Sequence, residues 1–194
     1  MSGIRKVSGS HVYLAPMAVE DAPLYVRWLN DPEIAVYLNA FSVTIGLERE
    51  QEFLAQSLRE QRPEFGIRLV ADDRLIGNCG IVNIDQVNRK AEIGIFIGER
   101  DLLGQGYGRE AVMLLLDYGF NILNLNNIYL RPYSFNTRAI RCYEACGFKQ
   151  AGRLREAKII NGEKYDELLL DILASEFNGS SLHDQLMRLT KPFE

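Results

Sequence analysis

The chain has 194 residues and a formal net charge of -4, with 22 Lys or Arg against 26 Asp or Glu. Because neutralising a polyanion needs a basic face, this mildly acidic balance argues against non-specific binding to nucleic acid. The apolar fraction of 47% fits one folded domain, and no run approaches the roughly 18 uncharged apolar residues of a membrane span, so we expect neither a span nor a signal peptide.

The first third of the chain predicts one strand and two helices. The strand covers residues 11–17. Asp21 caps a helix with Pro23 in its first turn, where the fixed φ of proline is tolerated. The inward positions of this helix are Leu24, Tyr25, Trp28 and Leu29. The second helix ends before Pro63, and its apolar face consists of Leu47, Phe53, Leu54 and Leu58.

From residue 65 the hydrophobic period changes from that of a helix to that of a strand. Alternation over residues 65–70, 75–84 and 91–98 predicts three strands, separated by an Asp72-Asp73 turn and a polar loop. Consecutive strands joined by short connections form an antiparallel meander. One half of the expected sheet is therefore antiparallel.

The following segment predicts a strand, helix, strand unit. A glycine-rich turn over residues 104–108 precedes a long apolar helix over residues 109–123 and a strand over residues 127–133. A right-handed helical crossover makes this last strand parallel to the strand over residues 91–98, so we expect a mixed sheet. The fold class is one α+β or mixed α/β domain, residues 1–194, with its core over residues 10–173 and a tail over residues 174–194.

The rest of the chain predicts a short helix and a hairpin. Asn136 caps the helix and Gly147 ends it, and Asn161-Gly162 forms the hairpin turn. The last twenty residues are weakly patterned.

The cysteines and histidines predict neither a disulfide set nor a metal site. Three cysteines, Cys79, Cys142 and Cys146, leave an odd thiol, which indicates reduced cysteines and a cytoplasmic protein. Cys142 and Cys146 share a helix face as small packing residues. His11 and His183 lie far from any cysteine pair, too few ligands for zinc, so we expect no metal.

The glycine-rich turn has the properties of an anion site. Glycines allow close approach of the backbone, and unpaired amides with the helix dipole favour an anion at a helix start. A P-loop would need Lys and Ser or Thr after Gly108, where Arg109 and Glu110 stand, and a dinucleotide fingerprint would need a third glycine at Arg109. A pyrophosphate held by backbone amides and a plain loop before a helix both remain open.

A second motif follows about thirty residues later, where Asn136, Ala139, Tyr143 and Gly147-Phe148 are regularly spaced. Together the two motifs resemble the GNAT superfamily of acetyl-CoA-dependent N-acetyltransferases. The stretches 91–94 and 117–120 and the closing hairpin are similar to the branch of ribosomal-protein N-terminal and bacterial spermidine acetyltransferases. The resemblance covers roughly residues 10–173 and implies a mostly antiparallel, twisted sheet with helices on both faces.

The resemblance implies that the pyrophosphate of coenzyme A lies over residues 104–108 and that pantetheine runs along the strand at residues 95–97. The cofactor-binding residues are then Ile95, Phe96, Ile97, Leu103, Gly104, Gln105, Gly106, Tyr107, Gly108, Arg109, Asn136 and Tyr143. Leu103 departs from the Gln or Arg that the family commonly has there, which gives more weight to the backbone and to Arg109. Gly94 and Gly98 share a face with Glu92 and Phe96 and leave room for a ligand, although a bulge without a ligand fits too.

Acetyl transfer needs a neutral amine and a protonated leaving thiol. Only about one lysine-like amine in 2,000 is neutral at pH 7, so a base or a water chain must help. By resemblance, Tyr143 is the acid that protonates the sulfur and Glu92 the base. The alternatives are a core tyrosine and a structural carboxylate. Direct attack in a ternary complex is expected, because Cys142 and Cys146 have no histidine partner nearby in the sequence.

The acceptor is a primary amine, and its identity stays open among a polyamine, an amino sugar, an aminoglycoside and a peptide N-terminus. The resemblance places its pocket against residues 21–61 and the loop near Asn161-Gly162. Charged and polar residues there are Arg27, Asp31, Glu33, Tyr37, Glu48, Arg49, Glu50 and Glu163. These acids suit a cationic amine or are merely solvated. A non-catalytic acyl-CoA sensor, a longer acyl group and a homodimer through the sheet edge or C-terminal strands also remain open.

Overall fold

The computed structural model describes residues 4–38 and 41–179, and these residues form one mixed eight-stranded sheet. Its strands are β1 (Val7–Ser8), β2 (Val12–Pro16), β3 (Glu64–Leu69), β4 (Leu75–Asp85), β5 (Lys90–Ile97), β6 (Asn127–Leu130), β7 (Lys149–Ile160) and β8 (Glu163–Leu173). The order across the sheet is β1-β2-β3-β4-β5-β6-β8-β7. The parallel pair is β5 with β6, as predicted, and the other neighbours are antiparallel.

Helices cover both faces of the sheet. They are α1 (Ala22–Leu29), α2 (Pro32–Ala35), α3 (Leu47–Arg59), α4 (Tyr107–Asn121) and α5 (Thr137–Ala145). The larger core lies on one face, where α4 packs against β2, β4 and β5 and α5 packs against α4. On the other face α1 and α3 pack together, with Tyr25, Trp28 and Leu54 buried. Within the described part of the chain, no helix is long and apolar enough to span a membrane.

The predicted elements form, with shifted ends. The long helix begins at Tyr107 because Gly106 is already its N-cap residue, and β6 ends at Leu130, before Pro132. The hairpin turn is confirmed: Asn161 and Gly162 both have positive φ, which matches the twist of the flanking strands. Short β1 and α2 were not predicted, since neither spans a full hydrophobic period.

The first helices differ from the expected pattern in two details. Asp21 is the N-cap residue of α1, as predicted, but its side chain pairs with Arg68 on β3 and makes no capping hydrogen bond. On α3 only Leu54 of the four residues of the apolar repeat is buried, and Leu47, Phe53 and Leu58 are about 40% exposed or more. The apolar period marks the helix correctly, but the neighbouring elements cover only part of its apolar face. His183 and most of the expected tail lie outside the described residues.

The divergence of β5 from β6 opens the sheet. The two strands pair from Lys90 to Glu92 and from Asn127 to Tyr129. Beyond Glu92 the strands separate, while β5 continues to Ile97 and remains paired with β4 on its other edge. The backbone of β5 therefore faces a cleft that the sheet itself creates.

Candidate active site

A cavity of about 1000 Å³ occupies the cleft between β5 and β6. Its walls are β5, the segment that follows β6, the glycine-rich turn, α5, and residues 32–38 with Phe41. Such a volume suits a large cofactor with part of a second ligand. Ten of the twelve predicted cofactor-binding residues line it, together with Glu92; the two that do not are Gln105 and Tyr107.

The glycine-rich turn combines left-handed backbone with an open surface. Gly104 has φ +76° and Gly106 has φ +91°, a region that disfavours other residues, and above both positions there is open space. Gly106 ends the turn as the N-cap residue of α4, so the first amides of the helix face the cavity side. The Gln105 side chain donates to the Asp101 carbonyl at 2.6 Å, and Tyr107 packs against the core. Those two side chains stabilise the turn.

The β5 wall presents backbone to the cavity and anchors its side chains on both faces. Ile95 and Ile97 pack against the larger core, and Phe96 makes an edge contact with Trp28 at 6.0 Å. Gly94 faces open space. At Gly98 the expected room for a ligand is absent, because an added Cβ would lie 2.1 Å from the Trp28 indole.

The start of α5 brings Asn136 and Tyr143 to the cavity. The Asn136 side chain accepts a hydrogen bond from the Ala139 amide at 3.3 Å, which confirms the predicted cap. Tyr143 is half-buried in the wall, and its ring contacts Phe148 at 6.0 Å. Burial, with Cys142 as a smaller contribution, raises the pKa of the Tyr143 phenol above its ordinary value. The phenol thus stays protonated across the physiological range and can donate a proton.

Glu92 lies at the point where β5 and β6 separate, held by three hydrogen bonds. Arg131 donates to both carboxylate oxygens, at 3.0 and 3.1 Å, and Asn83 donates at 3.0 Å. The bond to Glu92 raises the pKa of the Arg131 guanidinium, which also faces Glu167 at 3.5 Å. A bidentate pair of this kind fixes both partners in place. Arg131 was missed because its partner is on another strand, and single-sequence reasoning has no signal for that pairing.

Arg109 and the two α5 cysteines connect the glycine-rich turn to α5. The Arg109 guanidinium donates to the Ala145 carbonyl at 3.1 Å, and the Cys146 thiol contacts the Arg109 carbonyl at 3.8 Å. Cys146 is buried as a packing residue, whereas Cys142 is half-buried and lines the cavity. The interaction with Cys146 lowers the pKa of the Cys142 thiol. All three cysteines of the described chain are free, and within it no cluster of acids, histidines or cysteines could hold a metal.

Few of the charged residues expected around an acceptor pocket reach the cavity. Of that set only Glu33 and Tyr37 line it. Asp31 caps α2 and pairs with Arg100, which also binds Glu33. The others lie outside the lining. Arg27 forms an ion pair with Glu99, and Glu50 is buried on α3. Glu48, Arg49 and Glu163 are exposed. The Asn161-Gly162 turn is also outside the cavity lining.

A cluster of aromatic side chains, which the sequence did not indicate, forms another wall of the cavity. It consists of Tyr37, Phe41, Tyr133 and Phe135, of which the first three line the cavity. Tyr133 and Phe135 stack with ring centroids 5.7 Å apart. Two cations already lie over the cluster. The Lys158 ammonium is 4.9 Å from the Tyr133 ring and 5.9 Å from the Phe41 ring, and the Arg138 guanidinium is 5.9 Å from the Tyr37 ring.

Comparison with known sequences identifies relatives along most of the chain. A family model described as an acetyltransferase (GNAT) domain matches residues 11–149. An uncharacterized N-acetyltransferase, p20, from Bacillus licheniformis is 36% identical over 169 residues, which cover 86% of this chain and 94% of that protein. A spermidine N(1)-acetyltransferase from Vibrio cholerae is 38% identical over 113 residues, or 57% of this chain and 65% of that protein.

Solved structures share the fold over most of the chain. The spermidine N-acetyltransferase from Vibrio cholerae, crystallised with CoA and spermine, superposes with a TM-score of 0.77 at 29% identity over 87% of this chain and 98% of that one. A GNAT-family acetyltransferase from Bacillus anthracis has a TM-score of 0.76 over 88% of this chain and 99% of that one. At 20% identity, this second likeness shows the fold alone.

Proposed function

This chain belongs to the GNAT acetyltransferase family and is an N-acetyltransferase, and on that premise we propose that it transfers the acetyl group of acetyl-CoA directly to a primary amine within a ternary complex. One observation carries the proposal. The cleft between β5 and β6 joins an open, amide-lined turn to the half-buried phenol of Tyr143 in one continuous cavity. Its volume suits acetyl-CoA together with the reacting part of an amine, as direct transfer requires.

The residues present fit coenzyme A. Free amides at the α4 N-terminus suit a pyrophosphate, which also agrees with the absence of a lysine in the turn. The open β5 edge at Gly94 suits the amide groups of pantetheine, since a strand edge offers both donors and acceptors. Arg109 and Arg141 lie in the cavity lining and supply positive charge for the phosphates.

Tyr143 is the acid of the proposed reaction. The amine nitrogen forms a bond to the acetyl carbon, and the carbon–sulfur bond breaks with its electron pair on sulfur. Tyr143 donates its proton to that sulfur, the amine releases a proton to solvent, and the Tyr143 phenolate takes one back from solvent. Because its pKa is raised, the Tyr143 phenol is protonated at the start of each turnover.

Glu92 acts as a positioning residue in this proposal, one of the two roles that the sequence left open. Three of its acceptor sites are occupied by Arg131 and Asn83, so the carboxylate already has partners in place of an amine proton. Through this pair Glu92 holds Arg131 at the mouth of the cleft and fixes the distance between the two diverging strands. The base is then water in the cavity.

The acceptor class proposed here is a primary amine of a small molecule or of a protein N-terminus. The relative from Vibrio cholerae named above, found both by sequence and by structure, is a spermidine acetyltransferase, which supports an amine as the acceptor. A thiol-release assay with acetyl-CoA and a panel of amines, followed by mass spectrometry of the products, tests the proposal. Acetylation of at least one amine with matching thiol release is expected. Tight acetyl-CoA binding without acetylation of any amine would instead support a sensor domain.

A further inference from the structure

The cavity is basic although the chain as a whole is acidic. Among the described residues, its lining includes two acids, Glu33 and Glu92, and five arginines. Both acids are already paired, with Arg100 and Arg131 respectively. The three arginines that have no acidic partner in the described chain are Arg109, Arg138 and Arg141.

The positions of these arginines decide which of them can contact the phosphates of acetyl-CoA and which can contact the acceptor. Arg109 adjoins the glycine-rich turn and bonds to the end of α5, which places it with the phosphates. Arg141 is exposed one turn beyond Arg138 on α5. Arg138 instead lies over Tyr37, in the segment after α2. It therefore belongs to the aromatic cluster, and cofactor phosphates at the turn leave it available.

Lys158 adds a second cation to the same cluster. It reaches Tyr133 and Phe41 from β7, and no acidic partner faces it within the described residues. Aromatic faces are the surfaces on which a cationic ligand would bind. Here those faces already hold cations of the protein itself, so a polycationic acceptor would be repelled where an anionic group would be attracted.

Building on the proposed acetyl transfer, we propose that the acceptor is an amine with a carboxylate or phosphate a few bonds from the reacting nitrogen, and that Arg138 and Lys158 bind that anionic group. Arg138 offers a planar fork for the anion and Lys158 a point charge. The spermidine acetyltransferase from Vibrio cholerae named above acts on a polycation, so this chain would differ from it in substrate charge.

The test compares acidic acceptors with cationic ones, and its two peptides form a matched pair that differs in side-chain charge. The probes are a tetrapeptide with two aspartates after an N-terminal alanine, the same peptide with two lysines, free glutamate, and spermidine. The acidic peptide or glutamate should exceed the lysine peptide and spermidine by about tenfold in kcat/KM at low salt, and the difference should shrink at high salt. Glutamate as the better probe points to a small molecule, and the acidic peptide as the better probe points to a protein N-terminus; either result supports the proposal.

Variants locate the effect. Arg138→Gln and Lys158→Gln should each raise KM for the preferred acidic probe about tenfold, with kcat and the KM for acetyl-CoA unchanged. Lys158→Glu should improve kcat/KM for spermidine. Arg155→Gln is the matched control, because Arg155 is an exposed cation on the same strand that, unlike Lys158, lies over no aromatic ring among the described residues.

Two outcomes separate this proposal from the function on which it rests. Spermidine as the best acceptor, with both glutamine variants behaving like wild type, would overturn the acidic acceptor and leave the transfer reaction standing. Acetyl-CoA binding in calorimetry with no transfer to any amine would overturn both.

Discussion

The two walls of the cavity are built from different parts of the chain. The glycine-turn wall is local: residues 104–109 supply backbone amides, left-handed conformations and a helix start within six consecutive positions. The aromatic wall is assembled from side chains after α2 and after β6, with Lys158 of β7 over two of its rings, so its parts come from three separate segments of the chain. The first wall depends on backbone conformation and the second on tertiary packing. Changes to the glycine-turn wall should therefore abolish acetyl-CoA binding, while changes to the aromatic wall should alter the preference among acceptors.

Gly106→Val should produce the largest effect. A β-branched side chain at φ +91° strains the turn, and its methyl groups would occupy the space above the amides. Acetyl-CoA affinity in calorimetry should fall by at least about 100-fold. Gly162→Val is the control, because Gly162 has a similar φ of +83° in a turn outside the cavity lining. Retained tight binding by Gly106→Val would refute the cofactor assignment.

Tyr143→Phe separates binding from chemistry within the cavity. Loss of the phenol proton should lower kcat by about 100-fold, with acetyl-CoA affinity nearly unchanged, since the ring still packs on Phe148. Tyr118→Phe is the control, a hydroxyl deletion in the larger core at a ring packed against Phe65. Steady-state rates and calorimetry on both variants provide the measurement. Unchanged turnover in Tyr143→Phe would remove the acid role.

The pair of Glu92 and Arg131 tests whether a side chain at the strand divergence acts by position. Arg131→Met should lower kcat/KM by about tenfold, and Glu92→Gln by less, because glutamine retains one acceptor for Arg131. The double variant should be little worse than Arg131→Met, as for residues that act as one unit. The acidic limb of the pH profile should persist in Glu92→Gln. Its disappearance would make Glu92 the base.

Glu50→Gln probes a residue outside both walls and should have the smallest effect. Glu50 is 6% exposed, and burial raises the pKa of its carboxyl. A raised folded-state pKa means that the folded protein binds this proton more tightly, so the stabilisation is present below the unfolded pKa and is lost as pH rises through the folded pKa. Glutamine stays neutral at every pH, so the variant does not lose this stability when the pH rises. Its Tm should exceed that of the wild type by about 2 °C at pH 8, with little difference near pH 4.

Calorimetric scans of Glu50→Gln and Glu48→Gln at both pH values check this expectation. Glu48 is an exposed carboxylate on the same helix and should show no pH-dependent gain. Equal melting curves for wild type and Glu50→Gln at pH 8 would contradict the buried-charge explanation.

The glycine-turn wall could be predicted from the sequence, and the aromatic wall could not. Gly104, Gly106 and the Asn136 cap follow from short-range rules on left-handed conformation and helix ends, so one sequence suffices for them. Glu33 and Tyr37 were named among the acceptor residues and do line the cavity, but Glu50 was named with them and faces the protein interior. On a helix, periodicity says which residues share a face, and only the neighbouring elements decide what that face meets.

The sequence by itself determined the order of the longer elements, the parallel pair of β5 and β6 and the glycine-rich turn before α4, because each follows from hydrophobic period, chirality or the conformational range of glycine. The tertiary structure alone decided that β5 and β6 separate after Glu92, that Arg131 fixes Glu92, and that Lys158 and Arg138 lie over one aromatic cluster. Those contacts join residues far apart in the chain, and their energy depends on distance and burial that a sequence does not contain. The net charge of -4 describes the chain as a whole, whereas the placement of five arginines in the lining of one cavity is a property of the tertiary structure.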